Sequence, residues 1–397
     1  MPKHHWTLTD VARGIWQESF RCSARDGLGP VAGSTDWSIS KRTLRGGLSE
    51  GVDVIDVDNG CLSVSILPSR GMGLWRGTCD GMELGWKSPV KQPVNPAFVN
   101  SHERGGLGWL NGFNEWLCRC GLAFNGPPGT DIILRDDGSQ IQNEVTLHGR
   151  IANLPAHHVE VEVDTDGPGT LEVTGVVDET SMFGSCLRLR STVRTEVGSN
   201  RLMIVDQITN LAGIPAELEL LYHTNMGRPF LEAGSRFVAP AHDVSPRDDR
   251  AGDDISRYDS YLGPTSGYAE QCYFFDLIAD ATGQTVALLR NAAGDKGVSL
   301  HFAKKELPGF TLWKCTQAEA DGYVTGLEPG TNFPNFKTAE RKHGRVVPIA
   351  PGATHEVRLE IAIHSSAKMV SAVETKIAEM QRGRPPRLHD DPQAKYQ

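Results

Sequence analysis

The sequence predicts an all-β protein made of large antiparallel sheets. Gly, Pro, Asn and Asp punctuate its 397 residues every ten or so positions, and the short runs between them alternate apolar with polar side chains. Helical periodicity, by contrast, is scarce.

Taken in chain order, the first signal is one of the few helical ones. Val11, Ala12, Ile15, Trp16 and Phe20 fall at helical spacing between Thr9 and Phe20, which predicts an amphipathic helix near the N-terminus. Strands follow at 52–57 ("VDVIDV"), 62–67 ("LSVSIL"), 159–164 ("VEVEVD"), 285–290 ("TVALLR") and 357–364 ("VRLEIAIH"), each with one face to bury. A second helix is expected after Ser365 and Ser366 as candidate caps, with Met369, Val370, Val373, Ile377 and Met380 on one stripe. Beyond Gln381, "RGRPPRLHDDPQAKYQ" has little to bury and reads as a loosely held tail. With no repeat period and no composition break, the expected division is an N-terminal helix and lead-in over 1–50, one β domain over 51–366, and a C-terminal helix and tail over 367–397. So many strand edges are best managed by packing two sheets face to face or by closing them.

Bulk composition narrows the chemistry. Hydrophobic residues at 39% and charged ones at 22% are ordinary for a globular core. A formal net charge of −9 repels phosphate backbones, so nucleic acid is not an expected partner, whereas a neutral small molecule is. No apolar run reaches the roughly 20 residues that span a bilayer, and "MPKHHWTLTDVARGIWQES" carries no signal-like apolar stretch; no membrane association and a cytoplasmic location are expected. Eight cysteines are too few for a disulfide scaffold and are expected mostly as core thiols. The chain is expected to act as a monomer or homodimer.

Three stretches carry candidate chemistry. In "IQNEVTLHGR" (141–150), read as a strand, His148 lies on the polar face opposite Ile141, Val145 and Leu147. "AELELLYHTNMG" (216–227) reads the same way, with His223 opposite Ala216, Leu218, Leu220 and Tyr222. "GLEPGTNFPN" (326–335) reads as a loop in which Pro329 and its glycines hold the Glu328 carboxylate in one pose. Two histidines and a carboxylate suit acid–base work near neutral pH, with no cofactor required. The Cys118/Cys120 pair lacks a second pair nearby for a structural zinc site, no metal is expected, and "GGLGWLNG" (105–112) lacks the order of a nucleotide-binding loop.

"LHGR", "YHTNMG" and "GLEPGTNFPN", in that order, resemble the galactose mutarotase (aldose 1-epimerase) superfamily. "LPSRGMGLWRG", "LGWKSP" and "NGFNEWLCRCGL" further resemble its uncharacterised bacterial branch, a domain of unknown function, over about residues 50–365. The resemblance implies a β-supersandwich with a few peripheral helices. It also implies an isomerase in which Glu328 removes the proton of the anomeric hydroxyl, His223 protonates the ring oxygen and His148 stabilises charge at the anomeric region. Arg70 matches a position that binds sugar hydroxyls in relatives, and Asn225 follows the acid histidine. Glu115, Asn111, Trp109 and Trp116 are candidate pocket-lining residues, Trp faces being good platforms for a sugar ring. Where familiar mutarotases carry His-Pro-Tyr-Phe-Asn, this chain has "HTNMGRP", which leaves the sugar open. Convergence of Arg70, Arg104, Arg119, Arg150 and Arg228 would favour an acidic one. The alternatives are an epimerase, isomerase or lyase acting on a modified sugar, glycoside cleavage by paired carboxylates, or a non-catalytic sugar-binding protein.

Overall fold

The computed structural model describes residues 3–28, 36–134 and 137–397. It is 44% strand and 14% helix, an antiparallel β architecture as expected. Two large sheets, of 10 and 13 strands in the described residues, pack through one continuous apolar core. Val161, Val173, Leu189 and Ile204 enter that core from the first sheet; Ile55, Val64, Leu117, Tyr222, Leu312 and Leu327 enter from the second. Period-2 alternation produces this directly, since it sends every second residue of a strand to the same face.

The expected strands appear at Asp53–Asp58, Leu62–Leu67, His158–Asp164, Gln284–Arg290 and Thr354–His364. The C-terminal helix runs over Ala367–Gln381, with Ser366 as its N-cap and Val370 and Ile377 buried.

Two expectations are corrected. The N-terminal segment is not a helix: Lys3–Asp10 is a strand paired with His158–Asp164, followed by a short helical turn and the strands Ile15–Trp16 and Phe20–Ser23. Val11 and Trp16, two members of the supposed apolar stripe, stay 68% and 52% exposed, so the spacing marks no buried face. Nor does the tail hang free. Arg387–Leu388 pairs in parallel with Ala241–Pro246, and Tyr396 is buried against Phe333.

Five neighbouring strands of the larger sheet carry the candidate site: Gly309–Thr316, Tyr323–Gly330, Leu221–Met226, Leu117–Cys120 and Gly73–Cys79. On the face away from the core, Leu221, Cys118 and Cys120 join a second apolar cluster with Trp109 and Phe113.

Candidate active site

Strand register brings His223 and Glu328 together. The Leu221–Met226 and Tyr323–Gly330 strands run antiparallel with Leu221 across from Gly330 and Thr224 across from Leu327, which sets His223 opposite Glu328. Their side chains meet with Nε2 3.2 Å from Oε1, both almost wholly buried. Tyr222 and Leu327 point into the core, so His223 and Glu328 must point the other way.

Gly326 leaves room for both, being on the same face of the strand as Glu328. A Cβ there would lie 2.4 Å from Glu328 Oε1 and 3.2 Å from His223 Cε1. Glu328 is therefore held in a strand between two neighbours, not in the stiffened loop expected from its Gly and Pro residues.

Hydrogen bonds define the tautomers. Asn225 donates through Nδ2 to the carbonyls of Glu115 and His223, so its Oδ1 faces His223 Nδ1 at 2.7 Å as an acceptor. Nδ1 must then carry the proton, which leaves Nε2 aimed at Glu328. His148 presents Nδ1 to the Asn125 carbonyl at 2.8 Å, and since a carbonyl only accepts, neutral His148 offers its Nε2 as an acceptor. Its segment differs from the expectation. The strand ends at Val145, and His148 lies beyond it with a left-handed φ of +59°, so its position comes from a turn and not from strand alternation.

Aromatic rings box in the pair. His223 meets Phe113 edge-on at 5.1 Å, Trp313 at 5.4 Å and His148 at 5.6 Å, while Trp109 packs against His148 at 4.8 Å. Burial in these surroundings pushes the Glu328 carboxyl up to about 8, with Glu270 adding to the rise and Arg247 opposing it. Burial likewise lowers His223 to about 3 and His148 to about 4. Burial thus favours the neutral form of both groups near neutral pH, with the proton on Glu328. Glu328 Oε1 and Trp109 Nε1 are buried without an aligned hydrogen-bond partner, which marks them as groups a ligand could satisfy.

The remaining candidates separate into layers. Arg70 does not present a free fork to a sugar: its Nε donates to Glu115 at 2.6 Å, and its terminal nitrogens donate to Val94 O, Asn153 Oδ1 and Gly112 O. Glu115 is equally enclosed, its main-chain carbonyl accepting from Asn225 and Trp86. Asn111 lies apart, bonded to Glu103 and Arg104 on a helical turn. Trp116 belongs to the inter-sheet core, not to the apolar cluster of Trp109 and Phe113 on the other face. Arg119 and Arg228 are paired with Asp206 and Glu319, so these arginines do not form a common cluster with Arg70. Sequence reasoning missed Phe113, Trp313, Gly326 and Asn125. Strand alternation around Leu312 would have placed Trp313 on the site face, whereas Asn125 is brought in by loop geometry alone.

Fold and site together define a galactose-mutarotase-like β-supersandwich. Structures with this fold include a galactose mutarotase-like protein from Clostridium acetobutylicum (18% identity, 81% of this chain and 97% of that one, TM-score 0.56). Within that class the chain belongs to the family of the domain of unknown function DUF4432, whose model matches residues 49–363. A candidate aldose 1-epimerase from Klebsiella pneumoniae is 36% identical over 98% of both chains, with a TM-score of 0.91. None of the curated proteins matches the sequence.

Proposed function

We propose that the chain is a carbohydrate mutarotase that interconverts sugar anomers by ring opening and reclosure. The observation that carries this reading is the buried His223–Glu328 pair, 3.2 Å apart beneath aromatic walls. Similarity to a candidate aldose 1-epimerase from Klebsiella pneumoniae supports the same assignment.

In the resting site the proton sits on Glu328, because burial disfavours both ionised forms. A bound sugar changes that balance. Its anomeric hydroxyl donates to Glu328 and stabilises the carboxylate, while its ring oxygen accepts from Nε2–H and stabilises the imidazolium. Moving the proton from Glu328 to His223 leaves the net charge of the pair unchanged, so the transfer adds no net buried charge. Glu328 then removes the anomeric proton and His223 protonates the ring oxygen. The C1–O5 bond breaks, the free carbonyl rotates about the C1–C2 bond, and reclosure on its other face returns both protons.

Asn225 keeps His223 in the tautomer this requires. Neutral His148, holding only an acceptor at Nε2, suits a sugar hydroxyl better than the ring oxygen. Trp109 and Phe113 supply apolar surface for the C–H side of the ring. Since Arg70, Arg119 and Arg228 are each paired with a carboxylate, a neutral sugar fits better than an acidic one.

Saturation-transfer NMR between α and β anomers, run across neutral, deoxy, keto and acidic sugars, tests the proposal. Accelerated exchange for a neutral sugar, lost in Glu328→Gln and His223→Asn, is the expected result. Binding without accelerated exchange for any sugar would overturn it and leave a sugar-binding protein or another carbohydrate reaction.

A further inference from the structure

A second cluster of ligating side chains lies on the hairpin ladder of the larger sheet, among residues that the proposed reaction does not use. Cys61 Sγ is 3.9 Å from Cys79 Sγ and 3.7 Å from Asp80 Oδ1. The ligating atoms of all three residues lie within 4.8 Å of one another. We infer that Cys61, Cys79 and Asp80 form a binding site for a thiophilic divalent cation of the zinc class, with solvent completing a tetrahedron.

The spacing suits the ion. Zinc–sulfur bonds of about 2.3 Å set the sulfur–sulfur edge of a tetrahedron at about 3.8 Å, so the two thiols already stand at the separation a bound cation would impose. A disulfide would instead require the sulfurs to close to about 2.05 Å.

Each ligand is held by its own local structure. Asn59 Oδ1 accepts from the backbone N–H groups of Cys61 and Leu62, while its Nδ2 donates to Thr195 Oγ1, Glu196 O and Ser199 O, anchoring this turn to the opposite sheet. Cys79 and Met82 pair across a two-residue Asp80–Gly81 turn with φ of 48° and 75°, the left-handed turn that Asp-Gly favours. Asp80 Oδ2 accepts from Ser365 Oγ at 2.7 Å, which leaves Oδ1 toward Cys61 and gives the carboxylate the outer partner that metal-ligating groups usually have.

Cys61 is partly exposed and Asp80 exposed, so an ion can enter, whereas Cys79 is closed in by the core. A thiol is ordinarily protonated near neutral pH, whereas zinc binds it as the thiolate. Binding must therefore release two protons to solvent per cation. The bound ion would clip the Asn59 turn and the Asp80 turn together, next to Ser365 at the start of the C-terminal helix.

The full chain, stripped with chelator and kept reduced with a phosphine, is titrated with Co²⁺ and then with Zn²⁺. Expected are a sulfur-to-cobalt charge-transfer band saturating at one Co²⁺ per chain, release of two protons, and loss of the band when Zn²⁺ displaces cobalt. Cys61→Ser abolishes the band, Ser365→Ala weakens binding roughly 10-fold or more, and Cys118→Ser leaves it intact. Should Cys61→Ser misfold, protection of the partly exposed Cys61 from alkylation by Zn²⁺ in the unaltered chain is the equivalent readout. Absence of the band, its survival in Cys61→Ser, its loss in Cys118→Ser, or alkylation unaffected by Zn²⁺ would each overturn the assignment.

Discussion

Glu328 shows how a single residue couples the proposed chemistry to stability. Burial raises its carboxyl to about 8, against about 4.3 for an unfolded chain. Between those values the folded protein keeps a proton that the unfolded chain releases, so stability falls as pH rises across the window. His223, lowered to about 3 against about 6.5 unfolded, acts on the acid side: the unfolded chain takes up a proton first, and stability falls as pH drops through that range. Glu328→Gln removes the first effect and keeps the second. Its melting temperature should therefore exceed that of the unaltered protein by a margin that widens from about pH 5 to about pH 8, while anomer exchange falls by about 100-fold or more. A constant margin across that range would show that the carboxyl carries no burial cost. Gly326→Ala tests position instead of charge. Its Cβ would press on the Glu328 carboxylate at 2.4 Å, and since a misplacement of about 1 Å can cost about 100-fold, exchange should fall at least 10-fold with little change in the unfolding midpoint.

At the scale of elements, the alternating strands and the C-terminal helix were readable because their signals are local. Ser366 accepts from Met369 N–H and begins a helix whose apolar stripe packs against Val286 and Leu288. Ser366→Ala should cost about 1 kcal/mol, measured as a shift in the denaturant midpoint; no shift would mean that packing alone sets this end. Where the reading failed, the deciding contacts were distant. Lys3–Asp10 is held in a strand by partners 148 to 161 residues away, which outweigh its neighbours' helical spacing. Around Glu328, Gly326, Pro329 and Gly330 look like turn residues. In the sheet Gly326 makes room for the carboxylate, and a Cβ at Gly330 would meet Asn332 O at 2.9 Å and Leu220 O at 3.1 Å. His148 and His223 were identifiable as candidates by residue type, but their meeting depends on a left-handed turn that no periodicity encodes.

The whole molecule depends on how its two sheets are held in register behind the site. Arg119, on the Leu117–Cys120 strand, reaches through the core to Asp206 on the Arg201–Asn210 strand of the other sheet, with Nε 2.5 Å from Oδ2 and Nη2 3.0 Å from Oδ1. Tyr222, the neighbour of His223, donates to the same carboxylate at 2.7 Å, and Arg119 also donates to Met72 O and Ser191 Oγ. A pair this deep gains attraction but gives up two hydration shells, so its net contribution to stability is small even though losing one partner is severe. Asp206→Ala should cost about 3 to 5 kcal/mol in equilibrium unfolding, because it leaves the guanidinium charged and unpaired. The double replacement Arg119→Met with Asp206→Leu should recover most of that loss, and anomer exchange then separates two roles. Recovered stability with normal exchange would make the pair a dispensable part of the core. Recovered stability with exchange still depressed would show that the pair aligns Tyr222, and through it His223 with Glu328, which is the outcome expected from a carboxylate that ties both sheets to the strand carrying His223.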